Sequence, residues 1–242
     1  MSVGTVPGGR AWRYGLLGLP LAFAALPIYV HVPHLYAAEL GLSLSLVGAI
    51  LLATRVADAL ADPLIGWFSD HRASRRGLIT LALVPLALGL SGLLMPPDGA
   101  GPLWLAGGLV LVSAGYSLAT INHAAWGAEL GDDDDARTRL VASREGFGLF
   151  GVMLASALPG LLAGDLPAGL ERLAVVFIVL LGLVALVSLP ALPQGHRPPP
   201  VEERPWAGLR QALAERPFAM LLGVFAKRSE EHTSELQSHH DL

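Results

Sequence analysis

The stretch Leu51–Gly77, LLATRVADALADPLIGWFSDHRASRRG, sets one base and two acids inside an otherwise apolar run: Arg55, Asp58 and Asp62. At about 100° of rotation per residue, the three fall within about 60° of one another on a helix and share one face. A charge at the centre of a bilayer costs about 3 kcal/mol on insertion scales, so such a stripe must meet a polar interior or a partner. Arg55 can neutralise part of the pair, and Asp62 lies one helical turn from Asp58. Two acids against one base leave a surplus negative charge, which calls for a cation or a proton. Pro63 adds an oxygen, because it has no N–H to offer the Ala59 carbonyl beside the two carboxylates. Carboxylate and carbonyl oxygens suit hard cations. The competing reading is a structural salt bridge that locks helices together.

The rest of the chain is built to hold such a stripe in lipid. It has 242 residues, 53% of them hydrophobic and 15% charged, with a mean hydropathy of +0.55. A soluble domain is about 25% charged, and so few charged groups would not cover a water-soluble surface of this size. There is no cysteine, which excludes disulfides, thiol chemistry and Cys-ligated metal. No short apolar segment precedes a small-residue cleavage site, so the first apolar run is expected to span the membrane and stay there.

The spaces between charges mark the spans. Tyr14–Ala38, Gly77–Pro97, Gly99–Ala128, Gly146–Gly164 and Leu173–His196 carry no Asp, Glu, Lys or Arg. Leu44–Ser69 carries only Arg55, Asp58 and Asp62. Each is long enough for a helix of about 20 residues to cross a core of about 30 Å. The runs are continuous rather than alternating, so the expectation is an all-α membrane protein. Pro20, Pro27 and Pro33 should kink the first span. The arginines give the orientation. Arg10 and Arg13, then Arg72, Arg75 and Arg76, then Arg137, Arg139 and Arg144, then Arg197, Arg204, Arg210 and Arg216 all fall on one side, against Arg172 on the other. The positive-inside rule makes the first side cytoplasmic, N-terminus included.

At the charged stripe the chain resembles a known family. RVADALADPLIGWFSD is similar to the helix-two signature of the glycoside–pentoside–hexuronide:cation symporters, the melibiose permease-like branch of the major facilitator superfamily. GWFSDHRASRRG also resembles that superfamily's cytoplasmic loop signature, through Gly66, Asp70, Arg75 and Arg76, with His71 where an arginine is frequent. YGLLGLP and LGLSLSLVG fit the same pattern, and the likeness covers about Trp12 to Leu192.

The resemblance implies a six-helix N-terminal bundle of a major facilitator superfamily transporter. It implies cation-coupled symport of a small solute such as a sugar or glycoside by alternating access, in the inner membrane. Asp58 and Asp62 would hold the coupling ion, H⁺ or Na⁺, and no other cofactor is expected. The family's further acid on helix four falls at Asn122, whose amide oxygen would be the third ligand. The family's sugar-binding Lys–Asp pair on helix one falls at Leu21 and Ala22, both apolar. That keeps a lipid or lysolipid transporter open as the alternative. A family arginine near the start of helix five falls at Arg144. Asp70, Arg75 and Arg76 would form a gating latch.

Around this frame, Tyr116, Thr120, His123 and Trp126 on the fourth span either line a substrate cavity or bond between helices. His31 and His34 are expected to be interfacial. Asp132–Asp135 lacks the spaced ligands of a calcium loop and is expected to be a solvated cytoplasmic loop. No Walker-type loop, zinc pair or catalytic Ser–His pair is present, so the protein is not expected to be an enzyme. The arginines follow topology rather than a nucleic-acid face.

The expected organisation is a cytoplasmic N-terminus at 1–13, the bundle at 14–195, a proline-rich cytoplasmic linker at 196–216, the start of a truncated seventh helix at 217–227 and a tail at 228–242. The tail, RSEEHTSELQSHHDL, resembles a translated sequencing adapter. On that reading the C-terminal half of the transporter is missing from this chain.

Overall fold

The spacing of charges predicts six spans, and the computed structural model, which describes residues 8–71, 74–191 and 193, folds them as six helices long and apolar enough to cross a membrane. They are α1 (Ala11–Glu39), α2 (Leu44–Asp70), α3 (Arg75–Leu94), α4 (Pro102–Leu130), α5 (Asp134–Leu162) and α6 (Leu166–Pro190). The described residues contain no strand. The expected linker, seventh-helix start and tail lie outside the described residues, as do Arg72 and the side chain of Arg10.

Most of the later helices start where the sequence supplies a partner for the free N–H groups of the first turn. The Ser43 hydroxyl accepts from Leu46 N–H at the head of α2, and Ser74 accepts from Gly77 N–H at the head of α3. Pro102 opens α4, where its missing N–H is no loss. Asp133 caps α5 by accepting from Ala136 N–H at 2.6 Å. Asp134 and Asp135 occupy the first turn of that helix rather than a loop. The acid run is therefore a helix start whose charges meet the positive end of the dipole. α5 accordingly begins well before the uncharged window at Gly146, and α6 begins at Leu166 rather than Leu173, after Asp165, which accepts from Ala168 N–H.

The predicted kinks of α1 take a specific form. Two widened π-helical turns, Pro27–His31 and Leu35–Glu39, interrupt the α-helix. Val32 N–H reaches back five residues to the Pro27 carbonyl, and Leu40 N–H does the same to Leu35. Such turns concentrate at functional places in helices.

Helix α3 packs along α4, α1 along α5, α2 along α4, and α6 against α3 and α5. The α3–α4 contact is close because glycines let the backbones meet. A Cβ on Gly89 would stand 2.5 Å from the Val112 nitrogen, and one on Gly115 would overlap the Leu86 backbone. A buried apolar cluster of Phe23, Ile28, Leu86, Leu90, Val112 and Phe177 fills the middle. Much of the outer surface stays apolar, with Leu60, Leu88, Leu103, Leu149 and Leu186 all exposed. That is the surface a lipid-facing bundle needs.

Candidate functional site

Three polar features interrupt this apolar bundle. The first is the α2 stripe. Arg55 pairs with Asp58 through Nη1 and Oδ2 at 3.2 Å, one turn apart on the same helix. Ser113 of α4 donates its hydroxyl to the same Oδ2 at 3.1 Å. The Arg55 guanidinium also lies over the ring of Tyr29, 4.4 Å from its centroid. Asp58 is therefore held by a base and a hydroxyl. Asp62 is not: its Oδ1 is buried and has no hydrogen-bond partner. Pro63 stands inside α2 directly after it. A buried carboxylate oxygen without a partner carries its full desolvation cost.

The second feature lies where α2 passes into α3. Arg75 donates from Nη2 to Asp70 at 2.6 Å and from Nε to Glu129 of α4 at 2.9 Å. Its Nη1 donates to the Asn122 amide oxygen at 3.3 Å. Asn122 in turn donates to the Ser69 hydroxyl at 3.0 Å and to the Leu118 carbonyl at 2.8 Å. Asn122 was expected beside Asp58 and Asp62, and the structure engages it here instead. It stands nine residues beyond Ser113 on α4, roughly 13.5 Å further along the axis. Its amide is therefore level with Ser69, not with the acid pair. Asp70 and Arg75 of the loop signature do come together. Arg76 is half-buried, with its carbonyl accepting from Thr80. Gly66 has open space where a side chain would go.

The third feature is a cavity of about 420 Å³ between α1, α4 and α5. Leu21, Ala22 and Gly148 form its apolar wall, and Tyr116, Thr120, His123, Arg144 and Glu145 supply the polar groups. Arg144 donates from Nε and Nη2 to Glu145 Oε1, at 3.1 and 2.6 Å. Thr120 returns its hydroxyl to the Tyr116 carbonyl. His123 borders the cavity, but its ring nitrogen bonds the Tyr14 carbonyl at 3.0 Å while the Tyr14 hydroxyl donates to the His123 carbonyl at 3.0 Å. That reciprocal bond ties α1 to α4. Gly127 makes room for it, since a Cβ there would overlap the Tyr14 hydroxyl.

Trp126 was expected to line the cavity, and it does not. It is buried against Tyr14 and Leu17 and donates from Nε1 to the Pro193 carbonyl at 3.1 Å. Of the two histidines on α1, His34 is exposed and His31 meets the Ala155 carbonyl of α5 at 3.3 Å.

Sequence reasoning missed Glu129, Ser113, Tyr29 and Glu145. Glu129 had a signal: it follows Asn122 by seven residues, two turns on the same face of α4. Ser113 and Tyr29 had none, because their partners depend on the axial register between helices.

Six lipid-length helices around buried charge define a multi-pass membrane bundle. Residues 12–228 match the MFS/sugar transport protein family. The chain belongs to that family, the sugar-transport class of the major facilitator superfamily.

Proposed function

We propose that this chain serves a cation-coupled symporter that carries a small solute, a sugar or glycoside, by alternating access, driven by H⁺ or Na⁺. The observation that carries the reading is the unpartnered, buried Asp62 oxygen one turn from the Arg55–Asp58 pair. A cation or proton there removes the surplus charge and so changes the relative stability of the inward and outward states. Asn122 is left out of the ion site, because its amide already serves Arg75 and Ser69. The solute site is the Arg144–Glu145 cavity, where hydroxyls can bond both charged groups. The Asp70–Arg75–Glu129 network is the gating latch. The arginine distribution supports an N-terminus on the cytoplasmic side of the inner membrane. The apolar wall of Leu21 and Ala22 favours a second reading, transport of a lipid or lysolipid through the same cavity.

The test uses the full-length protein in proteoliposomes with a panel of radiolabelled glycosides and a lysophospholipid, under an imposed Na⁺ or pH gradient. Asp62→Asn should abolish gradient-driven accumulation while leaving solute exchange across the membrane. Accumulation by Asp62→Asn equal to wild type would remove the coupling role. Uptake of the lysophospholipid alone would favour the second reading.

A further inference from the structure

The guanidinium of Arg55 is held from two sides. On one it meets Asp58 at 3.2 Å. On the other it lies over the ring of Tyr29, 4.4 Å from the ring centre. Tyr29 sits in the widened turn Pro27–His31 of α1, so the ring comes from a different helix than the two charges. Both side chains are roughly half exposed, at 41% for Arg55 and 48% for Tyr29. Within the pair Asp58 is the more buried partner, 16% exposed, so the guanidinium is the half with room to move. The ring adds a cation–π contact and restricts the rotamers of a long side chain. The other titratable groups nearby are Asp62 on the next turn of α2 and Tyr116 on α4. Tyr116 lies within electrostatic reach of Tyr29 and Arg55, and of Arg144 and Glu145 on α5.

We infer that Tyr29 is a positioning residue that clamps Arg55 onto Asp58 as a resident counterion, which the coupling ion must displace. The inference rests on the reading of Asp58 and Asp62 as the ion site. Arg55 and an arriving cation compete for the same oxygen, Asp58 Oδ2, which already accepts from Ser113. For the ion to coordinate there, the guanidinium must swing away, and it then leaves the face of Tyr29. The ring therefore stabilises the ion-free site and sets the ion concentration at which coupling begins. Tyr29 lies within electrostatic reach of Asp58 as well as Arg55, and its positioning effect works through Arg55.

The experiment needs no knowledge of the solute. The melting temperature of the purified full-length protein is titrated with NaCl, replacing choline chloride at constant ionic strength, and separately with pH. The ion-dependent part is the part that Asp58→Asn removes. Tyr29→Leu should move its midpoint to roughly two- to thirty-fold lower Na⁺, or upward in pH by the matching amount if the ion is H⁺, from the usual strength of a cation–π contact. Tyr29→Phe keeps the ring and should match wild type. Arg55→Gln should shift the midpoint in the same direction and further, and Tyr29→Leu should add nothing in that background. An unchanged or weakened ion response in Tyr29→Leu, or an equal shift with Arg55 already replaced, overturns the clamp while leaving the ion site standing. A wild-type protein with no component that Asp58→Asn or Asp62→Asn removes overturns the ion site itself, and the clamp with it.

Discussion

Replacing Glu129 by Gln should destabilise the bundle more than replacing Asp70 by Asn, although Asp70 makes the shorter contact. Arg75 meets Asp70 at 2.6 Å and Glu129 at 2.9 Å. Distance alone would rank Asp70 first. Burial reverses the order: the Glu129 side chain is 8% exposed and that of Asp70 57%. An exposed pair contributes about 0–1 kcal/mol, because water and salt screen it and both side chains lose entropy. A buried hydrogen bond to a charged group is worth about 1.5–3 kcal/mol, and a buried charge deprived of its partner costs more. Gln keeps a neutral acceptor, so Glu129→Gln should cost about 2–3 kcal/mol. At about 2–4 °C per kcal/mol for a chain of this size, that is a fall in Tm of roughly 4–12 °C, against less than about 4 °C for Asp70→Asn. The assay is thermal unfolding of the full-length protein in detergent, followed by circular dichroism at low and at high choline chloride. High salt should shrink the Asp70→Asn effect and leave most of the Glu129→Gln effect, since buried pairs are screened less. An Asp70→Asn loss equal to or above that of Glu129→Gln would refute the ranking by burial.

Gly115→Ala would press a methyl group into the Leu86 backbone and should cost about 1–3 kcal/mol in thermal unfolding, as overpacking does. Gly66→Ala meets open space and should be neutral or stabilising by up to about 1 kcal/mol in the same measurement. Tyr14→Phe removes the hydroxyl that donates to the His123 carbonyl and should cost about 1 kcal/mol. A loss above about 3 kcal/mol there would mean that the α1–α4 tie depends on more than this bond.

What could be read from the sequence followed the range of each interaction. The six spans were legible because hydrocarbon excludes charge, and gaps between charged residues report that directly. Helix ends were less so. Arg137, Arg139, Arg144 and Glu145 belong to α5 but break the uncharged window, since a helix outlasts the apolar layer it crosses. Within α2, the pairing of Arg55 with Asp58 was legible because three residues of one helix have a fixed geometry. Between helices it was not. Whether Asn122 stands level with Asp58 or with Ser69 depends on how far α4 slides along α2, and no local pattern sets that slide. The same uncertainty hid Ser113 from Asp58 and Glu129 from Arg75. Trp126 was misplaced for a related reason: which side of α4 faces the cavity is decided by where α1 packs, through Tyr14 and His123.

The two charged clusters, one within α2 and one where α2 passes into α3, look alike in sequence and differ in their accounting. Around Arg75, one guanidinium meets two carboxylates and an amide, and the amide's own hydrogens find Ser69 and Leu118. Every strong group there has an answer within the protein, which is what a lock between helices requires. Around Arg55, the one base answers one acid, and the second acid keeps a buried oxygen with no partner. A protein that needed only a lock at that level would gain by replacing Asp62 with an apolar residue, because an unpaired buried carboxylate costs stability and holds nothing. On the proposed reading, an ion or proton from outside completes the site for part of the cycle and offsets that cost. Both clusters bridge α2 to α4, through Ser113 at one level and Asn122 at the other. A change of charge at Asp58 alters the charge-assisted bond from Ser113 and leaves the Asn122–Ser69 bond untouched. On the proposed reading, ion loading changes the Asp58 end of the α2–α4 seam and leaves the Asn122–Ser69 bond at the other end in place.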